Sequence, residues 1–599
     1  MIRWSMGAML CAGLAGGGPL YGQIDAARVA APQDWSHRHV VFPQPQTFDR
    51  LSEVQQDQRY WHQVFTRAMR SAVANGSPRG SEKAMEGVSR SRLVPPAIPR
   101  TPLAAASKPD VDWGESLAGT VALSYSGLNS YPAKYSFNTN NPVPDCTNDF
   151  VVFTAPVSTV TRFNLFAFKN LYVNNSGTGS CSGTLPTMLF AYNASQNSGN
   201  LSSSPTLSLD GTQIAFIENS APAQFHVVKW RSGNVSGTFG SPYNAAKMVN
   251  CAGNGAVAPC EWSLLYSTAT GHATLSAPFI DYLADTAYLS DDVGQVYAVK
   301  PVFGGGAPST QWVVAISGST TMTPPVYDSV SKNVFVADAN GKLYYIRTSA
   351  SSAGTCLSGS PPCQGSNVLT VASGKPVVEA PYVDSTNGKV FVFSNSSPTG
   401  ANASVVQTNT TLSTTSVANI GTVGANPVYG GAFSNSYYTS TGTGVLYACG
   451  AGPAQAGQLF GITFTGSTMN AGTPAYGPLN VSTAKSTCSP LTEVYNQSLG
   501  VDELYLSVQT KCTATITGGC LRQYNISSGL PASDTNTVAE SGGTTGIIID
   551  NVKNGLHGDA SETNLYFVTL GAQSCSKHTD GTAFTTGNCA VKLTQSALQ

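Results

Sequence analysis

Charge is the scarcest commodity in this sequence. Only 11% of its 599 residues are Asp, Glu, Lys or Arg, and the formal net charge is −1. So weak and balanced a charge offers no electrostatic footprint for nucleic acid or an anionic membrane. No apolar run is long enough to span a bilayer. Missing too are a Gly-x-Ser-x-Gly elbow, a P-loop and a His-Glu-x-x-His pair, which removes three common routes to catalysis. Short Cys-x-x-Cys knuckles are absent, so a zinc finger is excluded as well.

What is there points to an exported β-protein. Sixty glycines, abundant Ser, Thr and Asn, and 41% hydrophobic residues supply many tight turns and enough material for a core. The first residues, MIRWSMGAMLCAGLAGGGPLYGQ, place Arg3 before a short apolar stretch at 6–15 and a small-residue end at 20–22. A signal peptide over 1–22 is expected, with a disordered Gly-rich start as the alternative. Without Cys11 in this leader, twelve cysteines remain: Cys146, Cys181, Cys251, Cys260, Cys356, Cys363, Cys449, Cys488, Cys512, Cys520, Cys575 and Cys589. Close couples in polar loops suit disulfides in an oxidising, secreted or periplasmic setting. Pairing in sequence order is the working hypothesis.

Residues 23–115 differ from the rest, carrying many of the Lys and Arg residues. Within them, apolar residues from Phe48 to Ala72 fall at three- and four-residue steps, predicting an amphipathic helix over 47–76. That helix is expected to dock on the main body, with partner binding as the alternative. The Pro-rich stretch 91–109 reads as an extended tether. The remaining residues, 116–599, form the main domain.

This domain repeats itself. PFIDYLADTAYLSDDVGQVYAV (278–299), PVYDSVSKNVFVADANGKLYYI (325–346) and PYVDSTNGKVFVFSN (381–395) share Pro, two mostly apolar residues, Asp, a turn and an alternating strand. Weaker copies start at 205, 427, 490 and 547, giving a step of roughly 57 residues, the length of four short strands with loops. An all-β, eight-bladed β-propeller follows, with seven blades as the fallback and a short helical or extended N-terminal segment. NCAVKLTQ (588–595) would be the third strand of the last unit, and GTVALSYS (119–126) is the expected fourth.

Asp281, Asp328 and Asp384 recur at one register just before turn residues, so they are assigned to turn formation, with an acidic ring or cation site as the alternative. Asp285, Asp291 and Asp292 are expected to be solvated loop residues. His226, His272, His557 and His578 are scattered over different units and form no evident catalytic constellation. Tyr437 and Tyr438 are expected in an exposed loop, where they would stack on a sugar or anchor a protein.

SSPTLSLDGTQIAFIEN (203–219), with its Ser208-Leu209-Asp210-Gly211 turn and Ile214-Ala215-Phe216 strand, resembles the TolB-type WD-like propeller repeat. VGQVYAV (293–299) and NGKLYYI (340–346) look like quinoprotein and YVTN-type repeats. Residues 130–595 together are similar to secreted bacterial β-propellers, which implies fold and not activity. Quinoprotein chemistry is disfavoured: no adjacent Cys–Cys pair exists, and the propeller tryptophans are only Trp230, Trp262 and Trp312. The expectation is a monomeric binding module for a protein or glycan, without cofactor and presenting the cysteine-bearing insertions of its second, sixth and seventh units. A secreted hydrolase or lyase at the channel mouth is the alternative.

Overall fold

A computed structural model describes residues 31–44, 51–64, 67, 110–117, 130–136, 144–156, 163–174, 177, 179–230, 243–244, 249–251, 259–268, 270, 272, 276–316, 318, 320–440, 444–496, 500–554, 560–575 and 587–595. The expected leader and the Pro-rich tether lie outside them. The strand sequences are rich in Val, Ile, Phe and Tyr, which pack well on a pleated surface. In the fourth unit, for example, NVFVA (Asn333–Ala337) and KLYYIR (Lys342–Arg347) pair antiparallel. Their turn closes through Gly341 at φ +77°, where a Cβ would stand 2.3 Å from the Ala372 carbonyl oxygen.

The chain lays down one antiparallel meander after another. The first contains Ala133–Ser136, Phe150–Thr154, Leu165–Lys169 and Thr187–Asn193. Opening strands of the following meanders are Thr206–Leu207, Phe279–Asp281, Val326–Asp328, Tyr382–Asp384, Ala432–Phe433, Thr492–Asn496 and Ile548–Asn554. All but Ala432–Phe433 begin within two residues of a repeat start read from the sequence. The exception follows Gly430 and Gly431, which pass so close to Tyr382 and Tyr447 that a Cβ would meet either at 2.2 Å. The following SNSYYTS is not a strand: Asn435–Thr439 is a short helix.

Consecutive meanders pack face to face. Phe150, Leu165 and Phe190 share a cluster with Leu207, Ile214 and Phe216. Farther round, Ala215 and Phe225 pack with Ile280 and Leu289, Phe391 and Val405 with Phe433 and Leu446, Leu459 with Leu504, and Val494 with Leu565. Being sandwiched explains why strands such as Gln213–Glu218 are buried at every position. Neighbouring meanders cover both faces of Gln213–Glu218.

The last meander contains Cys589–Gln595 as its third strand, and its fourth comes from upstream. That strand is Asp110–Ser116 and not 119–126, which lies outside the described residues. Trp113, fully buried, lies 5.8 Å from Phe168 of the first meander and 6.3 Å from Tyr566 of the last, and donates from Nε1 to the Leu171 carbonyl at 2.9 Å. Ends meet there. The fold is an all-β propeller.

The six disulfides join Cys146–Cys181, Cys251–Cys260, Cys356–Cys363, Cys449–Cys488, Cys512–Cys520 and Cys575–Cys589, the sequential pairing expected. The single N-terminal helix expected over 47–76 is broken instead. Leu51–Val54 is helical, the chain turns, and helix resumes at 58–64 because Asp57 Oδ1 accepts from the Arg59 amide at 2.9 Å. No helix among the described residues is long and apolar enough to cross a membrane.

Candidate functional site

The repeated aspartates shape corners. Asp281 accepts from the amides of Leu283 and Ala284 at 3.1 and 3.2 Å, and Asp328 from those of Val330 and Ser331 at 3.3 and 2.9 Å. Asp384 accepts from the Asn387 amide at 2.8 Å and the Tyr437 hydroxyl at 2.7 Å. A second repeated acid went unnoticed in the sequence. Asp291 and Asp338, both fully buried, each accept two amides of a turn and the phenol six residues on, Tyr297 at 2.6 Å or Tyr344 at 3.1 Å. The spacing Asp-x-x-Gly-x-x-Tyr was its signal. Asp291 is thus not solvated, and Asp285 is tied to the amides of Phe303 and Gly304. Among the described residues no three His, Cys, Asp or Glu side chains gather as a metal site.

Functional geometry converges elsewhere, where the N-terminal segment crosses between the opening strands. Ala31–Gln33 pairs antiparallel with Ala133–Ser136 of the first meander, and Val40–Val41 pairs parallel with Tyr382–Asp384 of the fifth. Between these contacts, Asp34 caps the Trp35–His37 turn and accepts from the Leu207 amide at 2.9 Å and the Tyr282 hydroxyl at 3.1 Å. Arg38 donates to Thr492 Oγ1 at 2.8 Å and the Ile547 carbonyl at 3.1 Å. His39 Nε2 lies 3.2 Å from Glu379. Farther along, Arg59 pairs with Asp57 over Phe279, while Arg67 pairs with Glu493 at 2.8 Å, bonds Asn435 and lies 3.7 Å over the Tyr438 ring. Ser329 of the fourth meander donates to Asp57 at 3.2 Å, so one segment touches every meander.

A cavity of about 210 Å³ remains between this segment and the later opening strands, with Arg38, Arg67, Tyr131, Tyr382, Phe433 and Glu493 among its lining residues. Tyr437 and Tyr438, expected in an exposed loop, stand nearby instead: Tyr437 is buried against Phe433, and Tyr438 is half-buried beneath Arg67. The helix that carries them turns both rings inward.

Neither a family model nor a curated protein matches the chain. Among solved structures it is similar to Sqt1 from Chaetomium thermophilum, at 12% identity over 76% of this chain and 97% of that one, with a TM-score of 0.42. It is also similar to BamB from Moraxella catarrhalis, at 11% identity over 76% and 92%, TM-score 0.36. A third similarity is to the WD40 domain of Toxoplasma gondii coronin, at 10% identity over 70% and 86%, TM-score 0.34. The propeller assignment rests on strand order and seams, not on these likenesses.

Two buried acid clusters complete the propeller's chemistry. His226, wholly buried, is held between Glu261 and Glu218. Burial alone would lower its pKa, but the two carboxylates outweigh that and raise it to about 9, so the ring is an imidazolium at neutral pH. Besides the ring, the two carboxylates accept four bonds from the Gln196–Gly199 loop, which marks the cluster as structural. The second cluster reaches the cavity through Glu493. Burial, with the neighbouring Glu493 charge, holds Asp502 well above the ordinary carboxylate range, against a hydrogen bond from the Asn435 amide.

Proposed function

We propose that this chain is an exported, eight-bladed β-propeller that binds a protein or glycan partner outside the cytoplasm. Eight is supported by the meanders themselves. The one large sheet divides where Ser416–Thr422 meets Val445–Ala451 through the single pair Gly421 and Ala451. Export is supported by six disulfides, which fit an oxidising compartment. The proposed division keeps 1–22 as leader and 23–109 as segment and tether, and gives the ring everything from Asp110 onward.

The observation that carries the binding role is the filled centre. Tyr282, Thr492 and Glu493 at the inner ends of the blades are spent on Asp34, Arg38 and Arg67, so recognition of a macromolecule falls to the rim loops that the disulfides pin. The test is a glycan array and pull-down with the secreted protein, run beside quinone and metal analysis. Specific capture of one glycan class or one protein supports the proposal; a bound quinone or turnover overturns it.

One observation favours the second reading, a hydrolase or lyase: burial and the Glu493 charge raise Asp502 well above the ordinary carboxylate range beside the Arg67-paired Glu493, and two acids in contrasting environments are what acid–base catalysis uses. Activity on polysaccharide substrates that vanishes in Glu493→Gln, with folding intact, would establish it.

A further inference from the structure

We propose that the central cavity binds a small monocarboxylic acid with a compact apolar body. The site goes beyond the rim-binding role and does not depend on it. Its volume of about 210 Å³ exceeds the roughly 150 Å³ that accommodates benzene in an engineered apolar cavity. One part of the wall is apolar, formed by Val41, Phe433 and Ile548. Another carries Arg38, Tyr131 and Tyr382, and it is rich in donors without acceptors.

Arg38 spends its Nη1 on two neutral oxygens, and no carboxylate among the described residues lies within ion-pair distance of it. Its buried Nε makes no hydrogen bond. The phenol oxygens of Tyr131 and Tyr382, residues only 1% and 2% exposed, have no partner besides that guanidinium, which leaves each O–H without an acceptor. The guanidinium lies 4.7 Å over the Tyr131 ring, and its charge acts on both phenols, so the three donors occupy one neighbourhood. Buried donors left without acceptors are costly, and a carboxylate offers about four lone-pair sites with charge-assisted strength.

The rest of the wall limits the ligand to one negative charge. Arg67 is already neutralised by Glu493. Glu379, held by His39 through Oε1, acts on Arg38 from behind the lining. The competing arrangement is a closed one, in which Glu379 Oε2, also without a hydrogen bond, turns to Arg38 and the cavity takes no anion. Arg38 and Val41 come from the N-terminal segment and the other four residues from the ring, so the site exists only with that segment seated.

The experiment titrates the full secreted chain with benzoate and 3-methylbutanoate, and with their neutral amides, by calorimetry and ligand-observed NMR. At least one acid is expected to bind with a Kd below about 1 mM and tenfold or more tighter than its amide. Tyr131→Phe and Tyr382→Phe should each weaken that acid severalfold. They should leave the melting midpoint of the ligand-free protein little changed, since neither O–H has an acceptor there. Failure of both acids to bind, equal binding of acid and amide, or unaltered affinity in both Phe variants would each overturn the proposal.

Discussion

At the scale of single residues, this fold spends its few charges on buried acids that do turn work. Asp338 is the clearest case: two amides and the Tyr344 phenol converge on one carboxylate with no access to water. Asp338→Ala strands all three donors and should cost about 3 kcal/mol, whereas Tyr344→Phe removes one bond and should cost about 1 kcal/mol. Chemical denaturation of the two variants checks that ratio, and equal losses would deny the carboxylate its central place. Asp281, Asp328 and Asp384 were legible in the sequence because they repeat beside turn residues. His226 was not, because Glu218 and Glu261 meet it only through strand register. The cavity residues were equally hidden: Arg38, Tyr131, Tyr382 and Glu493 belong to four distant stretches that only ring closure brings together.

At the scale of elements, the decisive strand is the one that closes the ring. Asp110–Ser116 reads DVDWGES, and all but its last residue falls in the N-terminal segment drawn from the sequence, where the more apolar GTVALSYS is the strand expected for the ring. In space, Asp112 meets Lys592 at 2.6 Å and Trp113 fills the seam between last and first meanders. Neither partner is visible locally, so hydrophobic pattern alone selected the wrong stretch. The other strands were readable because each copy carries its own turn and its own alternation. Trp113→Ala should therefore do more than open a cavity worth about 3–5 kcal/mol. Loss of the seam contact should also raise hydrogen exchange across Asp110–Ser116 and Cys589–Gln595 ahead of the other meanders. Uniform exchange over the whole ring in this variant would show that closure does not depend on that side chain.

At the scale of the whole molecule, the buried ionisable groups set a direction for stability against pH. Burial raises the carboxyls of Asp384 to about 6 and Glu540 to about 7, outweighing their hydrogen bonds from Asn387 and Gln573 respectively. Such acids bind protons more tightly folded than unfolded, so stability is lost as pH climbs from the ordinary carboxylate range to those values. His226 acts in the same sense at higher pH: its contribution is complete below its unfolded value near 6.5 and disappears as pH rises through about 9. Opposing them are Asp34, Asp57 and Glu218. Their pKa values are lowered because His37, Arg59 and His226 respectively outweigh burial, so they contribute above the ordinary carboxylate range and fail in stronger acid. The two sets place the maximum in the ordinary carboxylate range, at about pH 4 to 5, with a descending limb toward pH 9. Thermal midpoints measured across that range should fall steadily on the alkaline side. Asp384→Asn supplies the control, because it removes a charge whose burial costs on the order of 3 kcal/mol at pH 8. The variant should gain on the native protein as pH rises from 4 to 7 and run parallel to it above that. An unchanged slope between pH 4 and 7 would mean that Asp384 is not the buried acid the geometry makes it, and that the axis tolerates its charge.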